Sequence, residues 1–238
     1  MEIRQNRVDF WKADLTVDEF TLNTYSGILS PEEQDRADRL KIDEVRYRFI
    51  TARGILRRIL SLYTGSAQET IRFYYNDNGK PELRQLGHKD KIRFSVSHTG
   101  NTLLIAISLN NRVGIDIEFM WPNLKFENMA KRYFMPKEYY ALMELPDHAR
   151  REAFYRYWTR KEAYIKGKGA GLWQLINNIE ITGTSDGDIQ LVTNFKYPED
   201  AGRWHFIDLE PSFTGENHVA AACVENIRPE ILYLRYNC

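Results

Sequence analysis

Apolar residues recur at intervals of three and four along two long stretches of the chain. Over residues 43–64 this stripe consists of Phe49, Ala52, Leu56, Ile59 and Tyr63. Over residues 148–167 it includes Phe154, Trp158 and Ile165. Such spacing places apolar side chains on one face of an α-helix. The pattern therefore predicts a long helix in each half of the chain, the first ending at Gly65 and the second at Gly167, Gly169 and Gly171.

Shorter segments with alternating or continuous apolar character predict β-strands. They lie at residues 7–15, 71–75, 94–98, 103–109 and 112–119, and again at 176–182, 188–193, 203–209 and 218–224. Asn110 and Asn111 predict a tight turn that joins two of these strands. A second turn is predicted at 185–188.

Local signals predict further helices between the strands. Ser30, Pro31 and Glu33 form a capping sequence with proline at the first helical position, so a helix should begin there. Pro136 separates two more helical stretches, at 125–134 and 136–145.

The two halves of the chain show a faint internal repeat. Each has a long helix followed by a sheet with a final apolar run, LLIAIS at 103–108 and VAAACV at 219–224. Trp121 and Pro122 interrupt the pattern between them. We therefore expect an α+β fold with an N-terminal half over 1–120 and a C-terminal half over 121–238. A pseudo-twofold axis would relate the halves, and a functional site would lie between them.

Composition limits the kind of partner the protein can have. The chain has 238 residues and equal numbers of basic and acidic side chains, 33 of each. Zero net charge argues against a nucleic-acid binder that relies on overall positive charge. Cys223 and Cys238 suggest free thiols in a reducing compartment. No stretch is apolar and long enough to span a membrane, and the first residues lack an apolar leader, so a soluble, cytoplasmic protein is expected.

Three carboxylates predict a metal site. Asp116 and Glu118 are two apart on a predicted strand and point to the same face, where they repel each other unless a cation lies between them. Glu162 and Lys166 are four apart on the second long helix, on the same face as Trp158. An ordinary Glu–Lys pair is the simplest interpretation of that helix alone. With Asp116 and Glu118 nearby, the three acids form a plausible site for Mg²⁺, which takes few carboxylates and leaves positions for water and phosphate.

The first long helix carries a basic face. Arg46, Arg53 and Arg57 share it, with Arg48 nearby. Such runs are usually solvated surfaces, and a clamp for a phosphate group is the alternative.

Four short blocks in one order resemble a known family. They are GKP at 79–81, FSVSH at 94–98, VGIDIE at 113–118 and WTRKEAYIK at 158–166. Together they look like the signature of 4′-phosphopantetheinyl transferases, of the large monomeric type that activates surfactin synthetase. The resemblance implies two pseudo-twofold-related halves, each a helix with an antiparallel sheet, in a monomer built as a pseudo-dimer. It also implies Mg²⁺-dependent transfer of the 4′-phosphopantetheine group from coenzyme A to a serine of an apo carrier protein of fatty acid, polyketide or peptide synthesis. The by-product would be 3′,5′-ADP.

The same resemblance implies roles for individual residues. Asp116, Glu118 and Glu162 would hold Mg²⁺, and Lys166 would meet the diphosphate of coenzyme A. The proton of the serine would pass to Glu162 directly or through a metal-bound water. Lys161 should lie to the side of the metal, because it points about 100° away from Glu162 on a helix.

Further residues would bind coenzyme A. Ser97, His98 and Lys80 match family positions that contact its phosphates, whereas Arg48, and after it Arg53, would hold the 3′-phosphate. Glu33 departs from the family pattern, because some relatives have a lysine there that meets this 3′-phosphate.

Two other functions compete with the transferase. One is a different Mg²⁺-dependent phosphoester enzyme such as a nuclease, although nuclease sites usually place Glu and Lys two apart on a strand. The other is a catalytically silent scaffold of the same fold, which would have no need for three clustered acids. No nucleic-acid or membrane partner is expected.

Overall fold

Residues 1–85, 90–183 and 189–237 are described by the structure, which is a computed structural model. In chain order the elements are β1 (Arg7–Asp14), α1 (Glu19–Gly27), α2 (Pro31–Asp38), α3 (Asp43–Thr64), β2 (Phe73–Tyr75), β3 (Pro81–Leu83), β4 (Ile92–Thr99), β5 (Thr102–Leu109), β6 (Val113–Phe119), α4 (Phe126–Tyr133), α5 (Pro136–Glu144), α6 (Asp147–Lys168), α7 (Leu172–Leu175), β7 (Ile179–Ile181), β8 (Leu191–Asn194), β9 (Trp204–Asp208), α8 (Pro211–Thr214), β10 (His218–Glu225) and β11 (Glu230–Tyr236).

Capping residues and glycines mark the ends of the helices. α3 has the predicted bounds, and Gly65 closes it in the left-handed conformation at φ 68°. α2 follows a capping box in which the Ser30 and Glu33 side chains each accept the other residue's backbone N–H. α6 ends at Gly169, again left-handed, with φ 72°. The prediction that Gly167 ends this helix is wrong. Gly167 lies inside α6, where a Cβ would come within 2.8 Å of Trp204 Cζ3.

Two sheets form the centre of the molecule. One has the strand order β11-β1-β5-β4 and the other β6-β10-β9. All neighbouring pairs are antiparallel except β1 and β11, which are parallel. The pairs β2–β3 and β7–β8 form two small hairpins. This mixture of helices and mainly antiparallel sheets confirms the predicted α+β class.

Strand partners differ from the expectation at two places. Asn110 and Asn111 do form a turn, with Asn110 at φ 66°, but β6 leaves the sheet of β5 and pairs with β10. The C-terminal strand β11 was not predicted, and it pairs with β1. Both halves thus place their last strand in the other half's sheet. The boundary at residue 120 stays a prediction, since paired strands cross it.

Smaller differences concern the ends of elements. The predicted strand at 71–75 is shortened to β2, and 176–178 is a 3₁₀ turn before β7. The predicted turn at 185–188 and Cys238 lie outside the described residues. Cys223 is a free, buried thiol as expected. No helix of the described ranges is both long and apolar enough to cross a membrane.

Three apolar clusters hold these layers together. α3 covers the first sheet and α6 covers the second, each with a continuous buried stripe. The third cluster lies between the sheets and contains Val113, Ile115 and Ile117 of β6. Because side chains alternate along a strand, the opposite face of β6 turns its glycine and two acids toward α6.

Candidate active site

The three predicted metal ligands come together between β6 and α6. Oxygen atoms of Asp116, Glu118 and Glu162 all lie within 4.8 Å of one another. The helix can pack this closely because residue 114 is glycine. A Cβ at Gly114 would overlap the carbonyl oxygen of Ala163. The small residue in VGIDIE therefore sets the distance between the acids of the strand and the acid of the helix.

One oxygen of Asp116 is fixed by hydrogen bonds and the other is free to coordinate. Asp116 Oδ1 accepts from Ser97 Oγ at 2.8 Å and from Lys166 Nζ at 2.5 Å. Lys166 Nζ also donates to Ser97 Oγ at 3.0 Å and lies 3.7 Å from Glu162 Oε2. Asp116 Oδ2 is buried and has no hydrogen-bond partner among the described residues. A buried carboxylate oxygen without a partner is costly unless a cation binds it.

Charge in the cluster favours a divalent cation. Burial, followed by the charge of Asp116, raises the pKa of both Glu118 and Glu162 to about 7. Burial alone would lower the pKa of Lys166, but Asp116 and Glu162 outweigh it, and the pKa is raised. Three carboxylates and one ammonium leave two negative charges when all are ionised, which one divalent ion balances. The donor set consists of oxygens only, which fits Mg²⁺.

Trp158 restrains the helix side of the cluster. Its side chain lowers the pKa of the Glu162 carboxyl, against the larger effect of burial, and its ring stacks on Phe154 with centroids 5.9 Å apart. The i,i+4 spacing of Trp158 and Glu162 on one helix face brings the two side chains together.

A groove leads from α3 to Lys166. Its wider part has a volume of about 470 Å³. It is lined by Arg36, Leu40, Val45, Arg48, Phe49, Ala52, Arg53, Leu56, Gly79, Pro81, Val96 and His98. A narrower part of about 230 Å³ shares Gly79, Pro81 and Val96 with it and reaches Lys166. No acidic side chain among the described residues lines either part, so the groove suits an anion.

The cations of the groove differ in how far they are already neutralised. Arg48 forms an ion pair with Glu44 at 2.6 Å and a hydrogen bond to Asn101. Arg53 lies against aromatic rings and is 3.9 Å from Glu33. Burial lowers the pKa of the Arg53 guanidinium. Both predicted arginines therefore line the groove, each with a carboxylate nearby.

Arg36 is a groove cation that sequence reasoning missed. Its guanidinium lies over the Phe49 ring at 5.2 Å, and no ion-pair partner of Arg36 occurs in the described part of the chain. The available signal was its place on α2, one turn after Glu33, facing the N-terminal part of α3.

His98 lines the wide part of the groove. Partial burial, and then the positive charges of Lys166 and Arg48, lower the pKa of His98. Ser97, its neighbour, lies on the other side of β4 and bonds Asp116 and Lys166. The predicted pair thus divides its contacts, one residue toward the carboxylates and one toward the groove.

One residue of the predicted basic face is buried instead of exposed. Arg57 is fully buried and pairs with Glu33 at 2.7 Å, so the expected basic face of α3 does not extend to it. The acid at position 33 therefore has a structural role, because Glu33 caps α2 and neutralises Arg57. Arg46 remains at the surface with Asp43.

Lys80 and Lys161 also make inward contacts. Lys80 Nζ donates to the carbonyl oxygens of Val113 and Gly167, both at 3.4 Å. Lys161 is fully buried and pairs with Glu138 at 2.6 Å, away from the carboxylate cluster. Its expected position to the side of the metal site agrees with this pair.

Comparison with known proteins gives one family for both halves of the chain. Residues 112–223 match the model of the 4′-phosphopantetheinyl transferase superfamily, and residues 15–110 match that of 4′-phosphopantetheinyl transferase, N-terminal. The chain is 36% identical over 224 residues to 4′-phosphopantetheinyl transferase HetI of Nostoc sp. strain PCC 7120, covering 94% of this chain and 90% of that protein. It is 28% identical over 167 residues to 4′-phosphopantetheinyl transferase Sfp of Bacillus subtilis strain 168, covering 70% and 72% of the two chains. With 4′-phosphopantetheinyl transferase gsp of Aneurinibacillus migulanus it shares 30% identity over 190 residues, 79% of this chain and 76% of that protein.

Proposed function

Because this chain belongs to the 4′-phosphopantetheinyl transferase superfamily, we infer that it transfers the 4′-phosphopantetheine group of coenzyme A to a serine of an apo carrier protein. The holo carrier and 3′,5′-ADP are the products. The observation that carries this function is a cationic groove that ends at Lys166, which pairs with one of three clustered carboxylates. A coenzyme A molecule needs those features, because it is a long anion with a diphosphate at which the reaction takes place.

Asp116, Glu118 and Glu162 are the proposed ligands of Mg²⁺. Support comes from their proximity, from the unpartnered buried Oδ2 of Asp116 and from the surplus negative charge. When bound, the ion neutralises the diphosphate and stabilises the charge that develops during transfer. Ser97 and Lys166 hold the remaining oxygen of Asp116, which keeps the carboxylate in one orientation.

Lys166 and His98 are the proposed contacts for the diphosphate. Lys166 brings an ammonium group to the end of the groove, and fixed charges are effective at stabilising transition states in partly dry sites. His98 can donate a ring N–H to a phosphate oxygen even when the imidazole is neutral. The serine of the carrier gives its proton to Glu162, directly or through a water molecule.

The 3′-phosphate is assigned to the wide part of the groove. Arg48 and Arg53 line it, and Arg36 joins them as a cation that has no ion pair among the described residues. An arginine that is not neutralised by a neighbouring acid is the stronger phosphate contact. The ammonium of Lys80, the other predicted phosphate contact, donates instead to the backbone carbonyl oxygens of Val113 and Gly167.

The competing functions have less support. A nuclease needs strong attraction to a phosphate backbone, and the chain has zero net charge. A silent scaffold would gain nothing from three acids and an unpartnered carboxylate oxygen in one place. Since one chain supplies both the groove and the cluster, we propose that the monomer is the active form.

A carrier-modification assay tests the function. Apo acyl and peptidyl carrier proteins, incubated with the protein, coenzyme A and Mg²⁺, should each be examined by mass spectrometry for one added phosphopantetheine. Asp116→Asn and Glu162→Gln should lower turnover by about 100-fold or more, because the metal site loses charge. Arg46→Ala, which changes a surface pair outside the groove, should leave turnover unchanged.

The same assay can contradict the proposal. If no carrier gains mass, the transferase function is wrong. If Asp116→Asn and Glu162→Gln both keep wild-type turnover at saturating Mg²⁺, the metal site is wrong. Cleavage of a labelled oligonucleotide would favour the nuclease.

A further inference from the structure

A loop from the first half of the chain closes the C-terminal end of α6. The last carbonyl groups of an α-helix have no partner within the helix. Here Asn76 Nδ2 and Asn78 Nδ2 both donate to the carbonyl oxygen of Gly169, at 2.8 and 2.9 Å. The loop, residues 76–80, is thus bonded to the end of the helix that carries Glu162 and Lys166.

Lys80 also connects this loop to the end of α6. Its ammonium donates to the carbonyl oxygen of Gly167, which belongs to the last turn of α6. A positive charge is favourable there, because the C-terminal end of a helix carries partial negative charge. The ammonium also donates to the carbonyl oxygen of Val113, the first residue of β6. Burial lowers the pKa of Lys80 to about 8, as expected for an ammonium packed inside the protein.

These two carbonyls belong to the two elements that form the metal cluster. Val113 begins the strand with Asp116 and Glu118, and Gly167 follows Lys166 in the helix. At this place the backbones of β6 and α6 are in direct contact, since neither Gly114 nor Gly167 has room for a Cβ. One ammonium therefore ties together the two backbones on which all four charged groups depend.

We propose that Lys80 is a positioning residue that clamps α6 to β6, and that it is not a phosphate contact for coenzyme A. The proposal rests on the transferase function inferred above. Without the clamp, the Gly167 carbonyl lacks its only side-chain partner in the described residues, and the last turn of α6 can shift. Lys166 lies in that turn, so its ammonium would move relative to Asp116. Displacements of about 1 Å in a catalytic site can cost on the order of 100-fold in rate.

The loop also gives the clamp a link to the substrate. Gly79, between Asn78 and Lys80, lines both parts of the groove. A molecule bound in the groove therefore touches the loop that holds α6 in place. Binding in the groove and order in the metal cluster should favour each other.

Two variants separate a clamp from a phosphate contact. Lys80→Met removes both hydrogen bonds, whereas Lys80→Gln keeps an uncharged amide N–H₂ donor, one bond shorter than the lysine ammonium, that can approach the same carbonyls. For a clamp, Lys80→Met should lower kcat by about 10- to 100-fold and leave the KM for coenzyme A within about threefold. Lys80→Gln should regain part of the lost kcat. Asp77→Ala is the matched control in the loop and should have a small effect, because Asp77 is exposed and lines neither part of the groove.

A second measurement does not depend on turnover. Mn²⁺ bound to the protein without coenzyme A, followed by electron paramagnetic resonance, reports on the carboxylate cluster alone. Lys80→Met should weaken Mn²⁺ binding several-fold, and Lys80→Gln should weaken it to a smaller but measurable extent.

The proposal is overturned if Lys80→Gln raises the KM for coenzyme A tenfold or more, on the scale of a lost charge-assisted bond. It is also overturned if Lys80→Met binds Mn²⁺ as the wild type does. Should Lys80→Met fail to fold, the KM and Mn²⁺ affinity of Lys80→Gln decide alone. A wild-type protein that modifies no carrier would refute the transferase function, while the Mn²⁺ measurement would still test the clamp.

Discussion

The orientation of the Asp116 side chain depends on its neighbours both in sequence and in space. That Asp116 and Glu118 face the same way follows from strand alternation, so the sequence could predict it. The contribution of Ser97 could not be predicted, because it depends on β4 lying beside β6. The two strands do not form a ladder. Instead the Ser95 and Ser97 hydroxyls accept the N–H groups of Ile115 and Ile117.

Lys161 and Lys166 show that helix phase separates two residues of one motif. The 100° rotation between Glu162 and Lys161 predicts that Lys161 leaves the metal side of the helix. It does not predict Glu138, which lies on α5 and pairs with Lys161 inside the protein. Burial lowers the pKa of Lys161 and raises that of Glu138, so each charge depends on the other. Removing one partner should therefore affect folding before it affects chemistry.

Arg36 carries a prediction about substrate recognition. If it holds the 3′-phosphate, Arg36→Ala should raise the KM for coenzyme A by about tenfold or more, since a hydrogen bond to a charged group contributes about 1.5–3 kcal/mol. The KM for 3′-dephospho-coenzyme A should change little. Steady-state kinetics with both substrates checks this. Arg39→Ala, at the end of the same helix and outside the groove, is the control. An equal rise in KM for both substrates would mean that Arg36 does not contact the 3′-phosphate.

At the level of elements, local sequence patterns predicted which helices and strands form, but not which other elements they pair with or pack against. The apolar stripe and Gly65 predicted both ends of α3 correctly, and Pro136 separates α4 from α5 as expected. Gly167 was misjudged as a helix end, because a glycine that stops a helix and one that permits close packing look alike in sequence. The partner of β6 was misjudged for a similar reason, since a tight turn usually makes a hairpin. Here residues on both faces of β6 are buried, and that strand lies between layers.

Gly114 gives a prediction about how β6 and α6 fit. In Gly114→Ala the new Cβ would meet backbone atoms of Ala163 and Gly167, which cannot turn aside as a side chain could. The helix must move away from the strand, and such overpacking typically costs about 1–3 kcal/mol. We expect a lower melting temperature, measured by circular dichroism, together with weaker Mn²⁺ binding as Glu162 leaves Asp116.

Gly27→Ala is the control for that substitution. Gly27 lies in α1 with no atom within 4 Å of an added Cβ. Alanine there should leave stability unchanged or raise it by up to about 1 kcal/mol. If Gly114→Ala melts and binds Mn²⁺ like the wild type, close backbone packing does not set the geometry of the cluster.

At the scale of the whole molecule, the net charge does not reveal how charge is distributed. A net charge of zero gives no sign of a groove lined by cations or of a cluster of three acids. The internal repeat predicted two similar halves, and β5 and β10 indeed lie in the interior of the two sheets. What the repeat could not predict is that β6 and β11 cross to the opposite sheet. That pairing depends on contacts between residues distant in sequence, which no local pattern encodes.

The exchanged strands predict that both halves unfold together. Tyr233 of β11 packs on Phe10, with centroids 5.8 Å apart, and on Phe213 at 4.6 Å. These rings belong to or border the cluster between the sheets, which contains β6, so loosening β11 should loosen both sheets. Tyr233→Ala should cost about 2 kcal/mol, less than a fully buried aromatic, and lower the melting temperature by about 4–8 °C. Ile231→Ala, at an exposed position of the same strand, should shift it less. Hydrogen exchange followed by mass spectrometry should show peptides of β5 and β10 losing protection together in Tyr233→Ala. Loss confined to β5 would mean that the two sheets are separate folding units, because then β11 would support only the sheet in which it pairs.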